Sequence, residues 1–257
     1  MKKLLLVFLM ALLSTAASFA QVRTFTSGGQ SFTVDVASTI NDYYNESLKG
    51  SWGCIPAILE YAAEKEHLSK AEYLYGLSYI RGIDREKDID KGLIWLKKAA
   101  DQGEKEAAGE LGSYYDEFAR YAEAEKYLLK ACSLGANFGY FNLGYHYMNL
   151  NNSTLAEKYF KLAISYGPKG QVDAIRGINI LYARQSRIKD TIPYLKIGAE
   201  RFNDPYSQGC LGQILYFFGS NCDEHPSAKD KTEGLKWLKQ AANAGDERAM
   251  QIMRDMN

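Results

Sequence analysis

The chain is 257 residues long, enough for a sizeable core, and its 31 lysines and arginines are matched by 31 aspartates and glutamates. That balance leaves no electrostatic footprint for nucleic acid or an anionic membrane surface. Beyond the first twenty residues no apolar run approaches the ~20 residues of a membrane span, and the four cysteines follow no regular spacing.

The first twenty residues, MKKLLLVFLMALLSTAASFA, set Lys2 and Lys3 before an apolar run and end on small residues at Ser18 and Ala20. This is the plan of a cleavable secretory signal, too short and wrongly flanked for an anchor. It predicts a mature chain from Gln21 and a periplasmic or secreted location. No cysteine follows the apolar run, which argues against a lipid-anchored precursor. Losing Lys2 and Lys3 leaves 29 basic residues against 31 acidic ones.

Residues 21–37, QVRTFTSGGQSFTVDVA, differ from the rest. Phe32, Val34 and Val36 alternate, and Ser27-Gly28-Gly29-Gln30 is a turn signal, so this segment is expected to be an N-terminal arm, either mobile or a small hairpin. From residue 38 to 257 nothing marks a linker, and one continuous helical domain is expected. Ser38 reads as the N-cap of a helix over Thr39 to Lys49, broken by Gly50 to Gly53. Pro56 to Glu66 then carries Ile58, Leu59, Ala62 and Ala63 as a degenerate terminal repeat.

From Ala71 to Ala107 the pattern is clearest. Ala71, Tyr75 and Tyr79 fall at i, i+4 and i+8 on one helix face. Gly76 lies on that face and admits a close backbone approach. GIDREKD breaks the period, Trp95, Leu96, Ala99 and Ala100 begin a second stripe, and Gly103 sits where a left-handed C-cap is favoured. The motif residues Ala71, Gly76, Tyr79, Gly82, Asp88, Lys91, Trp95, Lys98, Ala99, Ala100, Gly103 and Ala107 resemble the Sel-one-like repeat, a relative of the tetratricopeptide repeat. Tyr75 departs from its usual Leu and Gly92 from its usual Ala. The resemblance implies an all-α fold, a right-handed α/α superhelix (solenoid) of helical hairpins, used as a protein-interaction scaffold without catalytic residues of its own.

The hairpin recurs along the chain. First-helix glycines at Gly76, Gly112, Gly144, Gly177 and Gly212 are spaced by 36, 32, 33 and 35 residues. Second-helix aromatics at Trp95, Tyr127, Tyr159, Tyr194 and Trp237 are spaced by 32, 32, 35 and 43. The fourth unit is the weakest in this register, with Arg176 in place of the Leu and Ile180 in place of the Tyr. A longer loop, Ser220 to Lys231, enters the last hairpin, and Glu247 to Met256 is expected to cap the array. Each hairpin alone exposes an apolar stripe that stacking on its neighbours buries.

Several residue types invite a chemical reading. Cys210, in a first helix, and Cys222, in the long loop that could fold back onto it, are the one pair whose placement allows a disulfide. Cys132 replaces the second Ala of a K-A-A motif and reads as a small core residue. Cys222-Asp223-Glu224-His225 offers ligand atoms at short spacing but lacks a second paired motif, so a solvated loop is expected and no metal or other cofactor is assigned. His67, His146 and Asp116-Glu117 carry no assigned acid–base role. Cysteine-rich relatives of this repeat family have been linked to penicillin binding or hydrolysis. This chain lacks their regular cysteine pairs and has no S-x-x-K with S-D-N and K-T-G.

Aromatic residues make up 13% of the chain, more than the structural tyrosines Tyr79, Tyr115 and Tyr147 account for. In related tetratricopeptide solenoids the inner helices line a concave groove. Carried over from each first-helix glycine, that geometry assigns Tyr73, Ile80, Arg81, Phe141, Tyr145, Met148, Tyr182, Tyr216 and Phe217 to the groove. Aromatic and Arg side chains are typical interface anchors. The expected function is therefore non-catalytic: an envelope scaffold that binds a protein or peptide partner. The competing readings are a β-lactamase-like envelope hydrolase and a structural, self-associating subunit. The sequence leaves the partner and the oligomeric state open.

Overall fold

The computed structural model of the chain describes residues 22–27, 30–48, 56–166, 170–222 and 225–256. The expected leader, the Gly28-Gly29 turn, the Gly50 to Gly53 break and Cys54 lie outside the described residues. The chain divides into two compact units, one ending at Leu111 and the other beginning at Gly112.

The first unit opens with an antiparallel hairpin, β1 (Val22–Ser27) and β2 (Gln30–Asp35), in which Phe25 opposes Phe32. Hydroxyls pair across one face, Thr24 with Thr33 at 2.8 Å and Thr26 with Ser31 at 3.1 Å. From the opposite face Phe25 meets Tyr61 edge-on, and Arg23 Nε donates to the Tyr61 hydroxyl at 2.8 Å. Helix α1 (Val36–Leu48) follows β2 without a break. It starts three residues before the expected Thr39, because Asp35 and not Ser38 caps it. Asp35 Oδ1 accepts from the Ser38 amide at 3.0 Å, satisfying an N–H that would otherwise lack a partner.

Helix α2 (Pro56–Glu64) buries Ile58, Leu59, Ala62 and Ala63. Helices α3 (Ser69–Arg81) and α4 (Ile89–Asp101) form the strongest repeat. Gly82 closes α3 in the left-handed region, with φ of 68°, and the Asp88 side chain caps α4 at the Lys91 amide. The unexpected glycine, Gly92, has a packing reason. A Cβ on Gly76 would lie 2.9 Å from the Gly92 carbonyl oxygen, and one on Gly92 would lie 2.8 Å from that of Gly76. Paired glycines thus let the two backbones touch. Helix α5 (Lys105–Glu117) carries the division between the units.

The second unit continues with α6 (Tyr121–Ser133), α7 (Phe138–Asn149), α8 (Ser153–Tyr166), α9 (Gln171–Arg184) and α10 (Ile188–Lys196). A π-turn at Ile197–Arg201 leads into α11 (Pro205–Phe218), followed by α12 (Ala228–Asn243) and the capping helix α13 (Glu247–Asp255). One of its clusters contains Phe160, which is fully buried among Leu128, Leu143, Tyr147, Ile178 and Tyr182. A Cβ on either Gly144 or Gly177 would overlap the Phe160 ring, so one aromatic side chain fills the space between two successive first helices.

The fourth hairpin is better formed than its sequence register suggested. Ala174, Ile178 and Tyr182 make the buried stripe, at 0%, 0% and 2% exposure, two residues beyond the expected register. Tyr182, not Ile180, takes the structural tyrosine's place, with its ring against Tyr194 and its hydroxyl donating to Glu157 at 2.9 Å. Arg176 is not a substitute for a core leucine. It stays partly exposed and donates to Asp204 Oδ1 at 2.6 Å. The glycine position falls to Asn179, and Gly177 is kept small by Phe160.

Candidate functional site

Three of the nine residues assigned to a groove are core residues instead. Tyr73, Met148 and Tyr182 are 5%, 8% and 2% exposed. Tyr73 lies edge-on to Tyr44 of α1, which covers this part of α3. Met148 belongs to the Phe160 cluster, and Tyr182 is the fourth hairpin's structural tyrosine. Counting from glycines misplaced Tyr182 because the fourth register is shifted by two. Ile80 also serves packing, since its side chain occupies the space above Gly92. Arg81 is exposed at the end of α3.

In the second unit, Phe141 is half-buried against Gly170. Tyr145 is half-buried with its ring edge-on to Phe160, and its hydroxyl donates to the Asp173 carbonyl at 3.3 Å. Burial raises the Tyr145 hydroxyl above its ordinary pKa. One edge of Tyr145 lines an open cleft of about 310 Å³ between the end of α5 and α7, beside Asp116, Asn142 and Asn149. Asn149 Nδ2 donates to Asp116 Oδ2 at 3.1 Å, and His146 Nδ1 lies 2.7 Å from Asp116 Oδ1. His146 is fully buried, and its Nε2 has no hydrogen-bond partner among the described residues.

Tyr216 and Phe217 form an edge-on pair at 5.0 Å, with Phe217 44% exposed. Next to them, Phe218 and Ile188 border a second cleft of about 190 Å³ among α9, α10, α11 and α13. Ile214 and Phe218 give it apolar walls, Asn179 and Gln213 supply carboxamides, and Arg248 adds a guanidinium at its rim. Sequence reasoning missed Phe218, Ile188 and Arg248. A signal existed for the first: Phe118, Leu150 and Phe218 each stand three residues after Tyr115, Tyr147 and Leu215, and all three are exposed.

Cys210 lies in the lining of the second cleft, where Asn179 Nδ2 approaches its sulfur at 3.8 Å. It is not bridged to Cys222. The long loop does bring Cys222 against the cluster that contains Cys210, but Cys222 Sγ is turned to the Gly219 carbonyl at 3.8 Å. Burial pushes the Cys210 thiol above its ordinary pKa, and that of Cys132 up to about 11. Asp223 and Glu224 of the loop lie outside the described residues. Among the described residues no helix is long and apolar enough to cross a membrane.

Successive antiparallel helix pairs, four of them seated by a glycine against a Leu or Phe, define an α/α hairpin-repeat protein with open clefts between its first helices. The Sel1 repeat model matches residues 69–104, 106–135, 138–167 and 209–246, and the chain belongs to the Sel1 repeat family. The unmatched stretch contains the shifted fourth hairpin. Such repeats typically mediate protein–protein interaction and form a scaffold family that is generally non-enzymatic.

Solved structures share the fold at low identity. The c5321 protective antigen of uropathogenic Escherichia coli, with an SLR fold, is 22% identical with a TM-score of 0.65 over 83% of this chain. This chain spans only 47% of that protein's chain. A Sel1 repeat protein from Oxalobacter formigenes is 22% identical with a TM-score of 0.58, covering 80% of this chain and 84% of its own. Pseudomonas aeruginosa PilF is 15% identical with a TM-score of 0.61, covering 86% of this chain and 97% of its own.

Proposed function

We propose that this chain is a non-catalytic adaptor of the bacterial cell envelope that binds a protein or peptide partner through the open clefts of residues 112–257. The observation that carries this reading is the apolar rim of the second cleft, where Ile188 and Phe218 are 37% and 38% exposed beside polar groups able to orient a chain, with Phe217 next in the chain to Phe218 and 44% exposed. Large apolar side chains left in water beside a cavity gain free energy when a partner covers them, on the order of 25 cal/mol per Å². The Tyr145 cleft offers a second contact point with hydrogen-bonding carboxamides. The envelope location rests on the leader-like residues 1–20, and N-terminal sequencing of the exported protein should begin at Gln21.

A direct test is a pull-down from envelope extract with the wild-type chain beside a Tyr145→Ala/Phe217→Ser/Phe218→Ser variant. All three positions are partly or well exposed, so the variant should keep its helical circular dichroism. Binding partners should be retained by the wild type and reduced at least tenfold with the variant. Equal capture by both proteins would exclude these clefts as the binding surface.

A further inference from the structure

Helix α1 is clasped to the turn between α4 and α5 by two buried carboxyl groups and one hydroxyl. Glu104 and Glu106 are 8% and 7% exposed. Both reach Tyr44, whose hydroxyl oxygen lies 2.6 Å from Glu104 Oε1 and 2.7 Å from Glu106 Oε2. A phenol carries one hydrogen, and one hydrogen makes one short, linear bond. The second short contact therefore needs a second hydrogen, and a carboxyl proton is the only source between these atoms. Two ionised carboxylates on one buried hydroxyl would also repel each other where water screens poorly. We propose that Glu104 and Glu106 hold one proton between them and that its loss releases α1, which makes this helix a pH-controlled clasp over the hairpin beneath it.

From α3, Lys70 Nζ sits 4.8 Å over the Tyr44 ring and donates to Asn41 Oδ1 at 2.6 Å. Lys70 is the cation that favours ionisation of Glu104, and Lys105, in the first turn of α5, does the same for Glu106. Tyr73 faces Tyr44 from α3, and the charges of Glu110 and Arg81 act on Tyr73. Val36, Ile40 and Tyr44 of α1 are buried. Releasing α1 would uncover Tyr73, an aromatic side chain now 5% exposed.

Burial, together with the hydrogen bond to Glu106, holds the Glu104 carboxyl up to about 7. Burial also acts on Glu106, but hydrogen bonds from Glu104 and Tyr44 outweigh it and lower that group. Glu104 thus holds its proton more tightly when clasped than when released. Its contribution is complete below the ordinary Glu value of 4.5 and is lost as pH rises to about 7. Within that window the opening equilibrium grows by up to about tenfold per pH unit.

Hydrogen exchange of the full chain at pH 5, 6, 7 and 8, corrected for intrinsic exchange rates, tests the proposal. Amides of α1 should lose protection by up to about a hundredfold between pH 5 and 7, while those of α7 and α8 hold theirs. Glu104→Gln, which cannot ionise, should give α1 a protection that no longer depends on pH. Protection of α1 in the wild type that stays constant from pH 5 to 8 would overturn the clasp. So would a Glu104→Gln variant that folds and keeps the wild-type slope. Should that variant fail to fold, the wild-type series decides alone.

Discussion

At Phe160 a single side chain spans two hairpins, where elsewhere one leucine fills the space over one glycine of its own hairpin, as Leu96 does over Gly76 and Leu128 over Gly112. Phe160 fills the space over Gly144 in its own hairpin and over Gly177 in the next. Both glycines are legible in the sequence as small positions, yet only the fold says that they share one partner. Truncating a fully buried Phe costs its transfer free energy plus the cavity left behind. Phe160→Ala should therefore lose about 3–5 kcal/mol, read as a lower urea midpoint for the second unit. Tyr182 teaches a related lesson. Tyr115 and Tyr127, Tyr147 and Tyr159, and Tyr182 and Tyr194 are all twelve residues apart. That spacing runs from one stacking aromatic to the other across the turn. It is a truer ruler than the distance from Gly177, whose smallness is set by Phe160 of the preceding hairpin.

Among elements, the passage from α10 to α11 shows how a weak repeat is secured. The π-turn at Ile197–Arg201 brings Gly198 against Ser207, where no side chain would fit. Asp204 then joins α9 to α11: its Oδ2 accepts from the Ser207 amide at 2.9 Å and the Ser207 hydroxyl at 2.6 Å, while Oδ1 takes the guanidinium of Arg176 from α9. Asp204→Ala removes an N-cap and a partly exposed ion pair, for a loss of about 1–3 kcal/mol. Asp204→Asn keeps an accepting oxygen at the cap and should lose less than half as much in the same denaturation experiment. The Asp35 cap of α1 is the simpler case. Asp35 and Ser38 are both good N-cap residues, and the sequence does not rank them. The hairpin decides, because β2 delivers Asp35 in extended backbone at the point where the helix turns away.

For the molecule as a whole, a repeat protein is stabilised mainly by contacts between neighbouring hairpins, so damage should remain local. In Phe160→Ala, exchange protection should fall across α7 to α10 while residues 69–101 keep theirs, measured on the full chain under native conditions. A uniform loss along the chain would instead mean that it unfolds as one cooperative body. The same locality suits an adaptor, since the partly exposed residues around the two clefts can change without disturbing the stripe that holds the hairpins together.

The sequence alone determined the repeat, the helical hairpins and most of the buried stripe, because stacking against a neighbour imposes small and large residues at fixed intervals. It also marked Tyr145, Tyr216 and Phe217 as side chains beyond the stacking set. Tertiary structure decided which large apolar side chains remain accessible: Tyr73 is covered by α1, Met148 and Tyr182 are drawn into the core, and Phe218 and Ile188 are left outside. It alone brought Tyr44 onto Glu104 and Glu106, some sixty residues further along the chain. Periodicity reports the face a residue occupies on its own helix, whereas exposure and proton sharing depend on what a distant segment places against that face.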